Sequence, residues 1–232
     1  MPTASARLKR KLELVAPSFA TPGRLLLEHP RARELCPEYL ASSTYVTIAT
    51  VPLMETALEH ARALAPEDGV AAGLADYLEV HIPEELHGGE PGRAALDDLE
   101  ALGVDTVALV TTPPPPKIAA LIGSQFFWIR HRHPVAILGL VALEAFHPHA
   151  PTVEQLIETT GLPRDGFRQL LLHAELDVEH ADELHRVLDA LPLQPDHEQL
   201  VALSALQSMA FLIDAWLDVV TAEVPVGTAA AS

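Results

Sequence analysis

The chain has 232 residues, 49% of them apolar, which is enough for one sizeable core and argues against a disordered protein. Fifteen Lys and Arg against 32 Asp and Glu leave a formal charge of −17, an unfavourable balance for binding nucleic acid or an anionic membrane surface. The single cysteine, Cys36, excludes an intrachain disulfide and any cysteine-rich zinc site, and it fits a reducing cytoplasm.

Residues 1–30 mix Lys, Arg, Pro and Gly with few periodic apolar positions. They read as a loosely ordered arm with at most one helical turn. Arg7, Lys9, Arg10 and Lys11 are not followed by an apolar core region and cleavage site, so no signal peptide is expected. Residues 31–222 read as one helical domain, and residues 223–232 as a small, polar, flexible tail.

Within the domain, Val51, Met54, Leu58, Ala61 and Leu64 follow a helical spacing from Val51 to Ala65. Leu74, Tyr77, Leu78 and Leu86 continue it over Val70–His87, where Pro83 predicts a kink or break and Gly88, Gly89, Pro91 and Gly92 a stop. A short helix follows from Ala94 to Leu102, ended by Gly103. The prolines 113–116 form a stiff connection whose last member suits the first position of the next helix, Lys117–His133.

Pro134 opens a further helix to Phe146, the most apolar stretch, which contains Glu144 and is too short to span a bilayer. A short helix starts at Thr152 and stops near Gly161. Long amphipathic helices are predicted over Arg164–Leu191 and His197–Val220, the second with Leu200, Leu203, Leu206, Ala210, Ile213 and Leu217 on one stripe. No strand alternation persists, so the fold class is all-α, about seven helices in one bundle.

The segment from His173 to His180 carries the strongest chemical signal. His173, Asp177 and His180 stand at i, i+4 and i+7, within an arc of about 60° on a helix. Two imidazoles and a carboxylate on one stripe suit a divalent transition metal. The competing reading is a solvated polar face, since Glu175, Glu179, Asp182, Glu183 and His185 crowd the same segment.

Glu84 and His87 form a Glu-x-x-His pair, the spacing used in carboxylate-bridged dimetal bundles, although His87 also suits a helix C-terminus. Glu144 stands alone among Leu140, Val141 and Leu143, where a buried carboxylate needs a partner, a metal or water. Glu55 gives a weaker signal of the same kind, with Glu59 one turn later as its competitor. Four carboxylates carry a charge of −4 and two divalent ions +4, which suits a dinuclear site. Oxygen and imidazole donors suit iron or manganese, without separating these from zinc.

In the run Phe126-Phe127-Trp128-Ile129-Arg130-His131-Arg132-His133, Arg130 or Arg132 could hold a substrate carboxylate, with Phe127 beside Arg130 as a further contact. Ion pairs to surface acids are the plainer reading of those cations. Cys36 reads as a small apolar residue, with no neighbouring base to activate it.

Taken together, these blocks resemble the haem-oxygenase-like diiron oxidases, also described as iron-containing redox enzymes. The resemblance runs from about Thr50 to Leu191. It rests on Leu53-Met54-Glu55, on His81 to Gly88 with Asp98 to Gly103, on His133 to Gly139 with Leu143-Glu144, and on His173, Asp177 and His180. It implies a seven-helix haem-oxygenase-like bundle and the metal ligands Glu55, Glu84, His87, Glu144, His173, Asp177 and His180. Pro83 leaves open whether Glu85 replaces Glu84.

The implied activity is that of a nonhaem diiron oxidase or oxygenase using two Fe(II) ions, O2 as cosubstrate and an external reductant. Its substrate would be a small metabolite, amino-acid-like or fatty-acid-like. The reaction types are N-oxygenation, oxidative C–C cleavage or desaturation, often in natural-product biosynthesis. Two other readings stand beside it. One is a metal-independent enzyme on the same bundle, a thiaminase-like hydrolase or a cofactor-free oxidase. The other is an acidic helical interaction protein. The apolar helix His197–Val220 could pair two copies in a homodimer or complete the core of one.

Overall fold

The computed structural model describes residues 2–222 except His87, Gly88, Pro91 and His147, and for residues 175–181 it describes the helical backbone. The expected flexible tail, residues 223–232, lies outside the described residues. Among these, every regular element is helical, as eleven α-helices and three short 3-10 turns rather than about seven helices.

The expected loose arm contributes two of the additional helices, α1 (Ala4–Glu13) and α2 (Ala16–Glu28). Thr3 caps α1 by accepting the Ala6 N–H, and Leu8 and Leu12 bury one side of it. Its first turn is fastened across the chain. Ser5 donates from its backbone N–H and its hydroxyl to the Asp189 carboxylate, both at 2.8 Å. Arg7 forms a two-pronged pair with Glu198 at 2.7 and 2.5 Å. Periodicity over so few apolar residues is weak, and these long-range anchors leave no local signal.

Helix α3 (Ala32–Leu64) runs 33 residues through Pro37 and Pro52. Helix α4 (Gly69–Leu86) likewise continues through Pro83, so of the expected kink or break the break does not occur. One missing N–H is tolerated because Leu74, Leu78 and Ile82 hold α4 on the core. Helices α5 (Arg93–Ala101) and α6 (Thr106–Thr111) follow, α6 being capped by Asp105. Helix α7 (Pro116–His131) starts on the last of the four prolines, as expected.

The expected helix from Pro134 to Phe146 is instead three pieces. They are a 3-10 turn at Pro134–Ala136, α8 (Ile137–Val141) and a 3-10 turn at Glu144–Phe146. Helix α9 (Ala150–Thr160) comes next, then a 3-10 turn (Arg164–Phe167), α10 (Arg168–Ala190) and α11 (Pro195–Val220).

Helices α3 and α11 form the centre of the bundle. Helix α3 packs on α4, α5, α7 and α11, while α11 also packs on α2, α7 and α8. The main core includes Leu53, Met54, Leu74, Leu78, Leu121 and Leu138, each fully buried. Each such side chain contributes about 1.5–3 kcal/mol of burial. Helix α11 is apolar and long enough to cross a membrane by length and composition alone, with 44% of its most apolar window buried inside the bundle.

Three hydrogen bonds fix the α7–α11 register. Gln125, fully buried, donates to Ser208 at 3.0 Å and accepts from Ser204 at 2.9 Å. Trp128 donates to Gln207 at 2.9 Å. Helix α8 approaches α11 so closely that a Cβ at Gly139 would lie 2.4 Å from the Val201 carbonyl oxygen.

Candidate metal centre

The centre is built around His81 on α4, which is completely buried. Glu84 and Glu85 follow at i+3 and i+4, so all three side chains share one side of the helix. His81 Nδ1 stands 3.6 Å from a Glu84 carboxylate oxygen, and Nε2 stands 3.6 Å from one of Glu85. A neutral imidazole has one donor and one acceptor nitrogen, so it cannot satisfy a carboxylate at each.

Two further elements bring acids to the same place. Glu144 comes from the 3-10 turn after α8, and Glu183 from α10, on which that turn packs. Donor atoms of His81, Glu85 and Glu144 all lie within 4.8 Å of one another, and so do those of His81, Glu84 and Glu183. Tyr77, one turn before His81, stacks on the imidazole at 4.9 Å with planes 20° apart. Burial pushes the Tyr77 phenol far above its ordinary value, and the charges of Glu144, Glu183, Glu85 and Glu84 push it further.

The expected ligands divide into three groups. Glu144 and Glu84 reach the cluster, but Glu84 keeps 47% of its side chain exposed while Glu85 keeps 13%. Of the two acids flanking Pro83's turn, Glu85 is therefore the inward one. Glu55 and Glu59 are exposed on α3 and belong to neither group, because Leu53, Met54, Ala57 and Ala61 take the buried face there. His173 is half-buried on α10, its Nε2 3.4 Å from the Gln169 side-chain nitrogen. The expected ligands His87, Asp177 and His180 lie outside the described side chains.

The suggested substrate contacts do not join this site. Arg130 and Phe127 are exposed at the end of α7. The Arg130 guanidinium lies over the Phe126 ring at 5.6 Å, and that of Arg132 over Phe127 at 5.9 Å. Helix α7 leads into His133, which bonds Asp68 at the start of α4 at 3.0 Å. His81 is 13 residues further along, about 20 Å of helix. Conversely, the sequence singles out neither His81 nor Glu183 as a ligand. The signals available were the i, i+3, i+4 spacing of His81, Glu84 and Glu85 and the place of Glu183 three residues after His180.

Asp68, His133 and His197 form a second group with donor atoms within 4.8 Å. Its chemistry differs. His133 Nδ1 accepts the Val135 N–H at 3.1 Å, and His197 Nδ1 accepts the Gln194 N–H at 3.3 Å. Neutral rings held this way carry their proton on Nε2, which leaves no lone pair there for a metal. Asp68 accepts from His133 while capping α4 through the Val70 and Ala71 N–H groups at 2.8 and 3.0 Å. The group is a junction of three helix starts rather than a ligand set. Burial lowers the His133 pKa, outweighing the opposing pull of Asp68. The buried Cys36 thiol is pushed up to about 12 by desolvation, which keeps it unreactive.

A profile of the family described as iron-containing redox enzymes matches residues 74–212, more than half the chain. No functionally curated protein matches significantly. Three solved structures share the fold. A domain of unknown function with a haem-oxygenase-like fold from Shewanella denitrificans OS217 has a TM-score of 0.77 at 17% identity, covering 92% of this chain and 90% of that one. A CADD-like protein of unknown function from Nostoc punctiforme PCC 73102 gives 0.65 at 19%, over 93% and 96%. A TenA homologue from Pseudomonas syringae pv. tomato DC3000 gives 0.66 at 14%, over 94% and 93%.

Proposed function

The chain belongs to the iron-containing redox enzyme family and has the haem-oxygenase-like fold, and from that premise we propose that it is a nonhaem diiron oxidase or oxygenase. The observation that carries this reading is the convergence of His81, Glu85 and Glu144 donor atoms within 4.8 Å inside the bundle. The donor set fits iron, since hard carboxylate oxygens with imidazole nitrogen are suited to Fe(II) and Mn(II). Four acids around one buried histidine also leave a negative excess that divalent cations neutralise.

His81, Glu84, Glu85, Glu144 and Glu183 would hold the metal on the described side, and of the other ligands expected from sequence, His173, Asp177 and His180 on α10 and His87 would join them. Bound iron supplies the activation of O2, and electrons come from an external reductant. The chain supplies the rest. Tyr77 stacks against His81 and limits its rotation, while Leu78, Ile82 and Leu143, all buried, flank the ligands along the chain and restrict water. The substrate on this reading is a small metabolite, amino-acid-like or fatty-acid-like.

The test is iron bound per chain after anaerobic Fe(II) loading and desalting, followed by O2 uptake of the loaded protein. About two irons per chain and O2-dependent oxidation of the metal support the reading. A stoichiometry near zero refutes it.

A further inference from the structure

Helix α1 is attached to the bundle more lightly than the helices beneath it. It has ten residues and buries Ser5, Leu8 and Leu12, whereas α11 buries ten side chains. A helix this short is marginal on its own, so its attachment decides whether it stays in place. At the first turn that attachment is polar, through the Ser5–Asp189 bonds and the Arg7–Glu198 pair. Water reaches the pair, with 38% of the Arg7 side chain and 23% of the Glu198 side chain exposed. A crevice lined in part by Arg7, Leu8, Leu188, Glu198 and Val201 runs beneath, so α1 is not close-packed there on α10 and α11. The course of the segment bears on the site. Asp189, bonded to Ser5, lies six residues beyond Glu183 on α10, about 9 Å of helix. At the other end the chain turns into α2, where Phe19 meets Phe146 edge-on at 6.1 Å, two residues after Glu144. The segment from Ser5 to Phe19 thus reaches from the element that supplies Glu183 to the one that supplies Glu144.

We propose that α1 is a latched lid, which opens while the rest of the bundle stays folded and so admits a divalent metal ion to the centre around His81. The part that concerns metal rests on the reading of that centre as an iron site. Segments with few buried apolar side chains and water-exposed bonds open at a free energy below that of global unfolding. His81 is completely buried, so an ion reaches it only when a covering segment moves. The Arg7–Glu198 pair is the latch, and neither residue belongs to the donor groups around His81. Breaking it leaves Leu8, Leu12 and the donors in place. It therefore changes how often the lid opens and not how tightly the centre binds.

The first test is hydrogen exchange, read by mass spectrometry on the full metal-free chain. Amides of α1 should exchange at least about tenfold faster than those of α3 and α11. Arg7→Gln and Glu198→Gln keep side-chain length and remove the ion pair. Each should speed α1 exchange about two- to fivefold, the effect of one partly exposed pair, and leave α3 and α11 unchanged. Arg24→Gln, which breaks an exposed pair with Glu28 on α2, is the control and should alter neither. The second test follows Co(II) uptake by visible absorption and its release to excess chelator. Both rates should rise by the same two- to fivefold factor in the latch variants, with the affinity unchanged. Exchange of α1 only in step with α11 overturns the lid and leaves the metal centre standing. Local opening of α1 with wild-type Co(II) rates in both variants overturns its role as the way in. Failure of the wild type to bind Co(II) overturns the metal reading and the entry route together, and the exchange pattern then decides the lid alone.

Discussion

Replacing Glu144 by Gln separates the two things its carboxylate does. Glu144 and Glu85 place oxygens within 4.8 Å of each other around His81. Two unit charges at that distance repel by about 3 kcal/mol at an effective dielectric of 20. Glu144 is half-buried and Glu85 retains 13% exposure, so water relieves part of this. A net relief of about 1–2 kcal/mol on neutralising Glu144 is the reasoned value. For a chain of this size each kcal/mol moves Tm by about 2–4 °C. The metal-free Glu144→Gln variant should therefore melt about 2–8 °C above the metal-free wild type. With Mn(II) at a hundred times its Kd, the wild type gains about 2.7 kcal/mol, or about 5–11 °C. The variant, lacking a ligand, should gain little, so the order of the two melting curves closes or reverses when metal is added. Differential scanning calorimetry in chelator and then in Mn(II) reads both effects. A Glu144→Gln protein that melts lower without metal, or that keeps the full Mn(II) shift, would refute the reasoning.

Three further outcomes follow from the packing and the helix-start junction. Because burial lowers the His133 pKa, the unfolded chain binds more protons as pH falls through about 6.5, and stability drops by up to about 1.4 kcal/mol per pH unit until the lowered folded value is reached; melting between pH 7.5 and 5.5 should show this slope, flattened in His133→Asn. Gly139→Ala places a Cβ 2.4 Å from the Val201 oxygen and 2.7 Å from the Ala205 nitrogen, both backbone atoms, and should cost about 1–3 kcal/mol by urea unfolding. Gln125→Leu strips the shared partner from Ser204 and Ser208, all three fully buried, and should cost about 2–4 kcal/mol in the same assay.

Much of the bundle is legible because helical periodicity is a local property. Val70–His87 and His197–Val220 are placed to within two residues, and Pro116 marks the start of α7. What periodicity misses depends on contacts far along the chain. The Pro134–Phe146 stretch is apolar on nearly every side, so nothing in it announces that Gly139 must admit the α11 backbone or that the stretch divides into 3-10 turns before Ile137 and after Val141. At the site, Glu144 is legible because a lone carboxylate among leucines demands a reason. His81 is not, since one histidine in an apolar helix is more often simply packed, and only the fold shows acids from three elements meeting it. Glu55 misleads for the converse reason. Its apolar neighbours bury an adjacent face and leave its own in water.

The anchors of α1 bear on the order in which the chain acquires its shape. The partners of Ser5 and Arg7, Asp189 and Glu198, lie 184 and 191 positions later. Contacts of such separation close slowly, because the loop entropy must be overcome before they stabilise anything. Helix α1 must therefore wait for α10 and α11, and it docks as a strap across helices already packed. During that interval the face of α10 and α11 that it covers is open, and the protein is most exposed to misassembly.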